Sequence, residues 1–322
     1  MSTAFISHAD SLLHEMGPHH PECPARVQAI EDQLILSRID AYLTYVDPPL
    51  ATEQQLALVH TLEHIERVKC SSPATGYHAI DGDTTMNPHT WQAALRSAGG
   101  AIAAVDAVMN KKASNAFSCL RPPGHHAEPH QAMGFCFFNN VAIAAKYALE
   151  HYGLERVAVI DFDVHHGNGT EAAFLDEPRV LMCSYFQHPF YPYAEPRTDI
   201  PNMVNVPLPA YTAGPAVREV VELSWMPRLR AFKPQFIFIS AGFDAHREDD
   251  MGQMGLVEAD YAWITRQLMT VANETAEGRI VSCLEGGYNL SALARSVVAH
   301  LKERSEEHTS ELQSHHDLVC RL

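Results

Sequence analysis

Val157-Ala-Val-Ile-Asp-Phe-Asp-Val-His-His-Gly-Asn-Gly169 sets an apolar run directly against a cluster of acids, histidines and glycines. A short continuous run rich in β-branched residues reads as a strand covered on both faces. The pattern recurs along the chain. Apolar runs at 116–120, 180–184, 235–240 and 279–284 also read as buried strands. Helical patterns lie between them at 90–109, 140–152, 216–232, 258–274 and 290–302. This alternation predicts an α/β fold with a parallel sheet and helices on both faces, in one domain.

In open parallel sheets, sites form beyond the carboxyl ends of the strands. The unusual residues of this chain gather there. Arg-Pro-Pro-Gly-His-His (121–126) follows the 116–120 run, and Ala-Gly-Phe-Asp-Ala-His (241–246) follows 235–240. Glu-Gly-Gly-Tyr (285–288) follows 279–284. Four strand ends delivering polar residues to one edge point to chemistry rather than packing.

Composition narrows the function classes. The 322 residues are 46% hydrophobic and 19% charged, which permits a sizeable core and excludes a disordered chain. There are 23 basic and 39 acidic residues, for a net charge of −16. That balance argues against nucleic-acid or membrane partners and suits neutral or cationic substrates. The 20 histidines are dispersed and raise the prospect of metal or acid–base chemistry. Seven cysteines without a CxxC pair suggest a reducing compartment. With no secretory pattern in the first residues, the expectation is cytoplasmic.

The chemistry follows from spacing. In an extended segment, residues i, i+2 and i+4 share one face. Asp163 and His165 can therefore reach one cation, and Asp244 from another strand end completes a three-ligand set. An Asp₂His site with an open position suits catalytic Zn²⁺, although Fe²⁺, Mn²⁺ or Co²⁺ also fit. The DxDxH spacing alone fits a hydrogen-bonded strand-end pair equally well; the remote Asp244 and the His125-His126 pair favour the metal. Each of these two histidines needs its own partner, and one held by Asp161 or Asn168 would be oriented as a general base. Gly286-Gly287-Tyr288 forms a tight turn presenting a phenol, which can donate to a developing oxyanion.

These stretches, with Gly17-Pro-His-His-Pro-Glu-Cys-Pro-Ala-Arg26, resemble the histone deacetylase superfamily, and particularly its bacterial class II-like members. The resemblance runs in order up to about residue 302. It implies an arginase/deacetylase-like fold with about eight parallel strands, and zinc-dependent amide hydrolysis. It makes Asp163, His165 and Asp244 the zinc ligands, with Fe²⁺ as a variant metal. His126 becomes the general base, His125 its electrostatic partner, and Tyr288 the carbonyl-polarising donor. Asp161 matches the carboxylate behind His125. Asn168 stands behind His126, where class I members carry Asp. Gly134, Phe135 and Tyr191 match the acyl-lysine tunnel, with Phe more usual at 191. Asp83, or Asp81, matches the rim aspartate, and Met251 stands where polyamine-specific relatives carry a glutamate. Asp161, Asp163, His165 and Ser184 match a structural K⁺ site, and Arg26 an internal cavity behind the metal.

The implied substrates are acetylated lysine in a peptide or protein, or an acetylated small amine such as an acetylpolyamine. A Mn²⁺ ureohydrolase of the same fold would want an acid at 246, where His stands. A non-catalytic acetyl-lysine binder would lack the base or the tyrosine. Oligomeric state is not legible. Arg304-Ser-Glu-Glu-His-Thr-Ser-Glu-Leu-Gln-Ser-His315 resembles a translated sequencing adapter. The expected division is therefore a catalytic domain at 1–303 and a non-native tail at 304–322.

Overall fold

The computed structural model describes residues 2–304. Ten strands run in chain order: β1 (Thr3–Ile6), β2 (Leu43–Val46), β3 (His78–Ala79), β4 (Thr85–Met86), β5 (Asn115–Ser118), β6 (Val157–Asp161), β7 (Val180–Gln187), β8 (Met203–Leu208), β9 (Phe236–Ala241) and β10 (Ile280–Leu284). Strands β3 and β4 form a small antiparallel ribbon. The other eight make one sheet in the order β2-β1-β5-β10-β9-β6-β7-β8, every pair parallel.

The five apolar runs of the sequence are β5, β6, β7, β9 and β10. Alternate residues of each face opposite layers. Ala158, Ile160, Ile237 and Ile239 pack against helices Ala25–Leu36, Glu258–Thr275 and Leu290–Arg304. Val157, Val159, Phe236 and Phe238 pack against Thr90–Met109 and Asn140–His151. Burial on both faces explains why these strands read as continuous apolar runs. Strand β2 at one edge is half-exposed, and β8 at the other carries Pro207, which an edge position tolerates. Both lack the apolar signature for that reason.

The stretch 216–232, which reads as one helix, is helix Gly214–Val220, a π turn at Val221–Trp225 and helix Met226–Phe232. Pro227 has no N–H for a helical bond, and the π turn precedes it. Arg304, assigned to the tail from the sequence, is the fully buried last residue of helix Leu290–Arg304. Its Nη2 donates to the carbonyls of Ala116 (2.8 Å) and Ile280 (3.1 Å), so the folded unit takes in residue 304. The rest of that tail, 305–322, lies outside the described residues. Among the described residues, no helix is long and apolar enough to cross a membrane.

Candidate active site

The four strands whose ends carry the polar clusters are neighbours: β5, β10, β9 and β6 occupy the middle of the sheet. Their carboxyl ends therefore converge. Asp161 ends β6, and Asp163 and His165 lie in the loop that follows; Asp244 follows β9. Ligand atoms of Asp163, His165 and Asp244 all lie within 4.8 Å of one another, and all three residues are buried. His165 Nδ1 sits 3.0 Å from Asp163 Oδ1 and 3.1 Å from Asp244 Oδ2. Main-chain donors aim the carboxylates: Gly286 N–H at Asp163 Oδ2 (2.9 Å) and Val164 N–H at Asp244 Oδ1 (2.9 Å).

The electrostatics of the cluster favour positive charge at its centre. Burial would lower the His165 pKa, but the hydrogen bonds and charges of Asp163 and Asp244 outweigh it and push it up to about 10. Burial, with the charge of Asp163, pushes Asp244 up to about 7. Two carboxylates and an imidazole converging on one point out of water fit a divalent metal. His246, where a ureohydrolase would want an acid, is turned elsewhere: its Nε2 lies 3.5 Å from Glu258 and its Nδ1 accepts from Glu248 N–H.

The two histidines take different partners. His125 Nδ1 pairs with Asp161 Oδ2 at 3.0 Å, and His126 Nδ1 with Asn168 Oδ1 at 2.8 Å. Asn168 Nδ2 donates to Glu128 Oε1 at 2.8 Å, so its carbonyl faces His126 and takes the ring proton. That leaves Nε2 of His126 as the free acceptor. The charge states diverge as well. For His125, burial is overcome by the charges of Asp163 and Asp161, and its pKa rises well above the ordinary value. For His126, burial and the charges of His125 and His165 drive it well below. The two rings are thus pushed in opposite directions, His125 toward its charged form and His126 toward its neutral form.

Tyr288 follows β10 and lines the same pocket as His126 and His165. Gly287 takes φ 115°, a conformation that L side chains rarely adopt, while Gly286 has another reason: a Cβ there would collide with the carboxylates of Asp244 and Asp163. Burial holds the Tyr288 phenol well above its ordinary pKa against the opposing charge of Arg26, so the hydroxyl keeps its proton. Arg26 is fully buried, and its guanidinium lies 4.9 Å from the centroid of the Tyr288 ring. Arg26 donates to the carbonyls of Gly287 (2.6 Å) and Glu285 and to Glu22 Oε1 (3.2 Å). Glu22 also accepts from Arg121, so one buried carboxylate ties the loop before the histidines to the support of the tyrosine.

Above the convergent ligands lies a cavity of about 220 Å³. Gly134, Phe135, Tyr191, Met251 and Asp83 line it together with His126, His165 and Tyr288. The structure separates the two rim candidates. Asp83 faces the cavity, whereas the Asp81 carboxylate accepts from the N–H groups of Asp83 and Thr84 to close a turn. Ser184 sits on β7 in register with Asp161, and both are buried. A larger hollow of about 630 Å³, with Asp176 and Arg228 as its charged lining, brings no comparable cluster together.

The structure adds residues that the sequence did not single out. Phe190 stacks on His165, ring centroids 5.4 Å apart and planes 15° apart. Its signal was available, since Phe190 adjoins Tyr191 between two prolines. Glu128, which fixes the Asn168 amide, and Asp249, which accepts from the Tyr288 N–H, had no visible signal, because their partners lie 40 and 39 residues away. Glu285 accepts from the N–H groups of Gly124 (2.7 Å) and His125 (3.1 Å) across the β5–β10 boundary. Burial pushes its carboxyl up to about 7 against the pull of His125.

A model of the histone deacetylase domain matches residues 20–304. A probable deacetylase of Archaeoglobus fulgidus is 38% identical over 302 residues, covering 90% of this chain and 82% of that protein. A histone deacetylase-like amidohydrolase of Pseudomonas aeruginosa is 36% identical over 328 residues, covering 94% and 86%. The crystal structure of the HDA15 HD domain superposes with a TM-score of 0.88 at 33% identity, covering 94% of this chain and 89% of that one.

Proposed function

The chain belongs to the histone deacetylase family and is a deacetylase; on that premise we propose that it is a zinc-dependent amidohydrolase removing acetyl groups from acetylated lysine or a related acetylated amine. The observation that carries this reading is the floor of the cavity. There, a three-ligand cluster lies beside His126 and Tyr288 beneath aromatic walls, with burial favouring the neutral imidazole and the protonated phenol.

Asp163, His165 and Asp244 would hold the metal. When bound, Zn²⁺ supplies a Lewis acid for the amide carbonyl and lowers the pKa of water. The remaining work belongs to the chain. His126 accepts the proton of the attacking water at Nε2, because Asn168 occupies its Nδ1–H. His126 then returns that proton to the leaving amine. His125, held by Asp161, keeps a positive charge beside it. Tyr288 donates a hydrogen bond from its hydroxyl to the carbonyl oxygen as that oxygen becomes anionic, keeping its own proton. Phe135, Phe190 and Tyr191 exclude water and grip an alkyl chain, and Asp83 at the rim accepts hydrogen bonds from the substrate main chain. Asp161, Asp163, His165 and Ser184 would hold a structural K⁺ beneath the site. A cytoplasmic location is part of the proposal, supported by six free cysteines among the described residues.

Rim carboxylates at Asp83 and Asp250 keep an acetylated cationic amine as the second reading, while Met251 in place of an acid argues against long polyamines. The deciding experiment is a panel of acetyl-lysine peptides, acetylputrescine, acetylspermidine and trifluoroacetyl-lysine with the enzyme loaded with Zn²⁺ or Fe²⁺. Acetyl-lysine peptides are expected to turn over fastest. An enzyme with full metal occupancy that hydrolyses none of them overturns the reading.

A further inference from the structure

The Gly287–Tyr288 peptide is gripped at both ends. Its carbonyl oxygen accepts from Arg26 Nε at 2.6 Å, and its N–H donates to Asp249 Oδ2, also at 2.6 Å. The same Asp249 oxygen takes the next N–H, that of Asn289, at 2.9 Å. Its other oxygen takes the N–H of Met251 at 3.0 Å. Asp249 is buried, and its own N–H is fixed on the carbonyl of His246. A cation on one face of a peptide and an anion on the other leave it little freedom to rotate. The peptide so held sets the direction of the Tyr288 side chain. Gly287, at φ 115°, would otherwise be the softest joint in the loop.

We propose that Asp249 is a positioning residue for the oxyanion donor: opposite Arg26, it fixes the Gly287–Tyr288 peptide and so the placement of the Tyr288 hydroxyl, and it ties that placement to the tunnel wall at Met251. The proposal rests on the function given above. It adds a residue that does not touch substrate and acts through the main chain of one that does. Asp249 also lies at the start of helix Leu290–Arg304, where an acid stabilises the helix whatever the chemistry, so the test must separate the two roles.

The test uses Asp249→Ala and the milder Asp249→Asn, which keeps one acceptor oxygen, each alone and combined with Tyr288→Phe. Misplacing a reacting group by about 1 Å can cost ~10²-fold. Asp249→Ala should therefore lower kcat for acetyl-lysine by about 10- to 100-fold with KM nearly unchanged, and Asp249→Asn by less. The loss should shrink on trifluoroacetyl-lysine, whose carbonyl needs less help. It should nearly vanish in the Tyr288→Phe background, where no hydroxyl remains to be placed. Hydrogen exchange should quicken at residues 285–289, ahead of the helix, with metal content unchanged. Equal losses on both substrates that multiply with Tyr288→Phe would reduce Asp249 to a helix-start stabiliser and overturn the proposal. Should the wild type hydrolyse none of the acetylated amines, the proposed function falls. The exchange measurement still decides Asp249: faster exchange centred on 285–289 supports it, whereas unchanged exchange there, or faster exchange only from residue 290 onward, overturns it.

Discussion

On the histidine side of the pocket, each ring is held by another side chain: His125 by Asp161 and His126 by Asn168. On the tyrosine side, Tyr288 is placed through its main chain, by Arg26 on the carbonyl that precedes it and Asp249 on its own N–H. The difference has consequences. A side-chain partner sets tautomer and charge as well as position, so the histidine side controls protonation. A main-chain clamp sets position alone, so the tyrosine side controls geometry. Both sides stand on one floor, the Asp163–His165–Asp244 cluster. Gly286 N–H on Asp163 joins the tyrosine loop to that floor directly.

The largest effect should come from breaking the floor. Asp244→Ala removes one of three ligands and leaves the other two without a closed set. Metal content should fall to near zero and turnover with it. Retained stoichiometric metal and activity would mean that the cluster is a buried hydrogen-bonded group and not a metal site. Next in size is the histidine side. His126→Ala deletes the proposed base while leaving every ligand in place, so metal should stay bound while kcat drops by ~10²–10⁴-fold. A near-normal kcat would move the base elsewhere in the site.

The tyrosine side should follow. Tyr288→Phe keeps the ring against Arg26 and removes only the donor. Loss of one oxyanion donor costs ~2.7–4 kcal/mol, or ~10²–10³-fold in kcat. KM should move little, because the bond strengthens as charge develops on the oxygen. The contrast with His126→Ala is the pH profile. His126→Ala removes the acid limb set by the base, whereas Tyr288→Phe lowers the curve and leaves its shape. Identical profiles for the two variants would erase the distinction between a protonation side and a geometry side.

The sequence displays these two sides unequally, for a physical reason. Strands β6 and β9 are buried on both faces, so their runs of Val, Ile and Phe mark them and point to Asp161, Asp163 and Asp244 just beyond. Histidine-side partners are side chains of distinctive type in compact motifs, and they could be read directly. Strand β1 is fully buried but only four residues long, and β2 and β8 are edges with mixed exposure, so none of the three carries a clear periodic signal. Tyrosine-side support is the least legible. Asp249 sits in Arg247-Glu-Asp-Asp250, which reads as a solvated polar turn. Its function lies in bonds to main-chain N–H groups, and such groups leave no imprint on residue type. Glu22 was visible within the His-Pro-Glu motif, but not its place between Arg26 and Arg121.

The smallest expected effect tests the protonation side most finely. Asn168 offers His126 a neutral acceptor, and Glu128 on the far side of the amide fixes which atom faces the ring. Asn168→Asp replaces that neutral acceptor with a carboxylate of nearly the same shape, so the ring should stay where it is. An anion within ~4–6 Å favours the charged form of an imidazole and typically raises its pKa by ~1–3 units. His126 starts well below its ordinary value, because burial and the charges of His125 and His165 oppose a second cation. Glu128, also facing position 168, would repel the new carboxylate and restrain its ionisation, so a shift near the low end is expected. The direction is fixed regardless. A base must be unprotonated to act, and raising its pKa keeps it protonated to higher pH. The acid limb of kcat/KM should therefore move to higher pH, by about one unit, with the plateau nearly unchanged. Asn168→Ala, by contrast, frees the ring and should lower the plateau at every pH. If Asn168→Asp leaves the acid limb where it was, the group titrating there is not His126, and the control of protonation must lie elsewhere in the pocket.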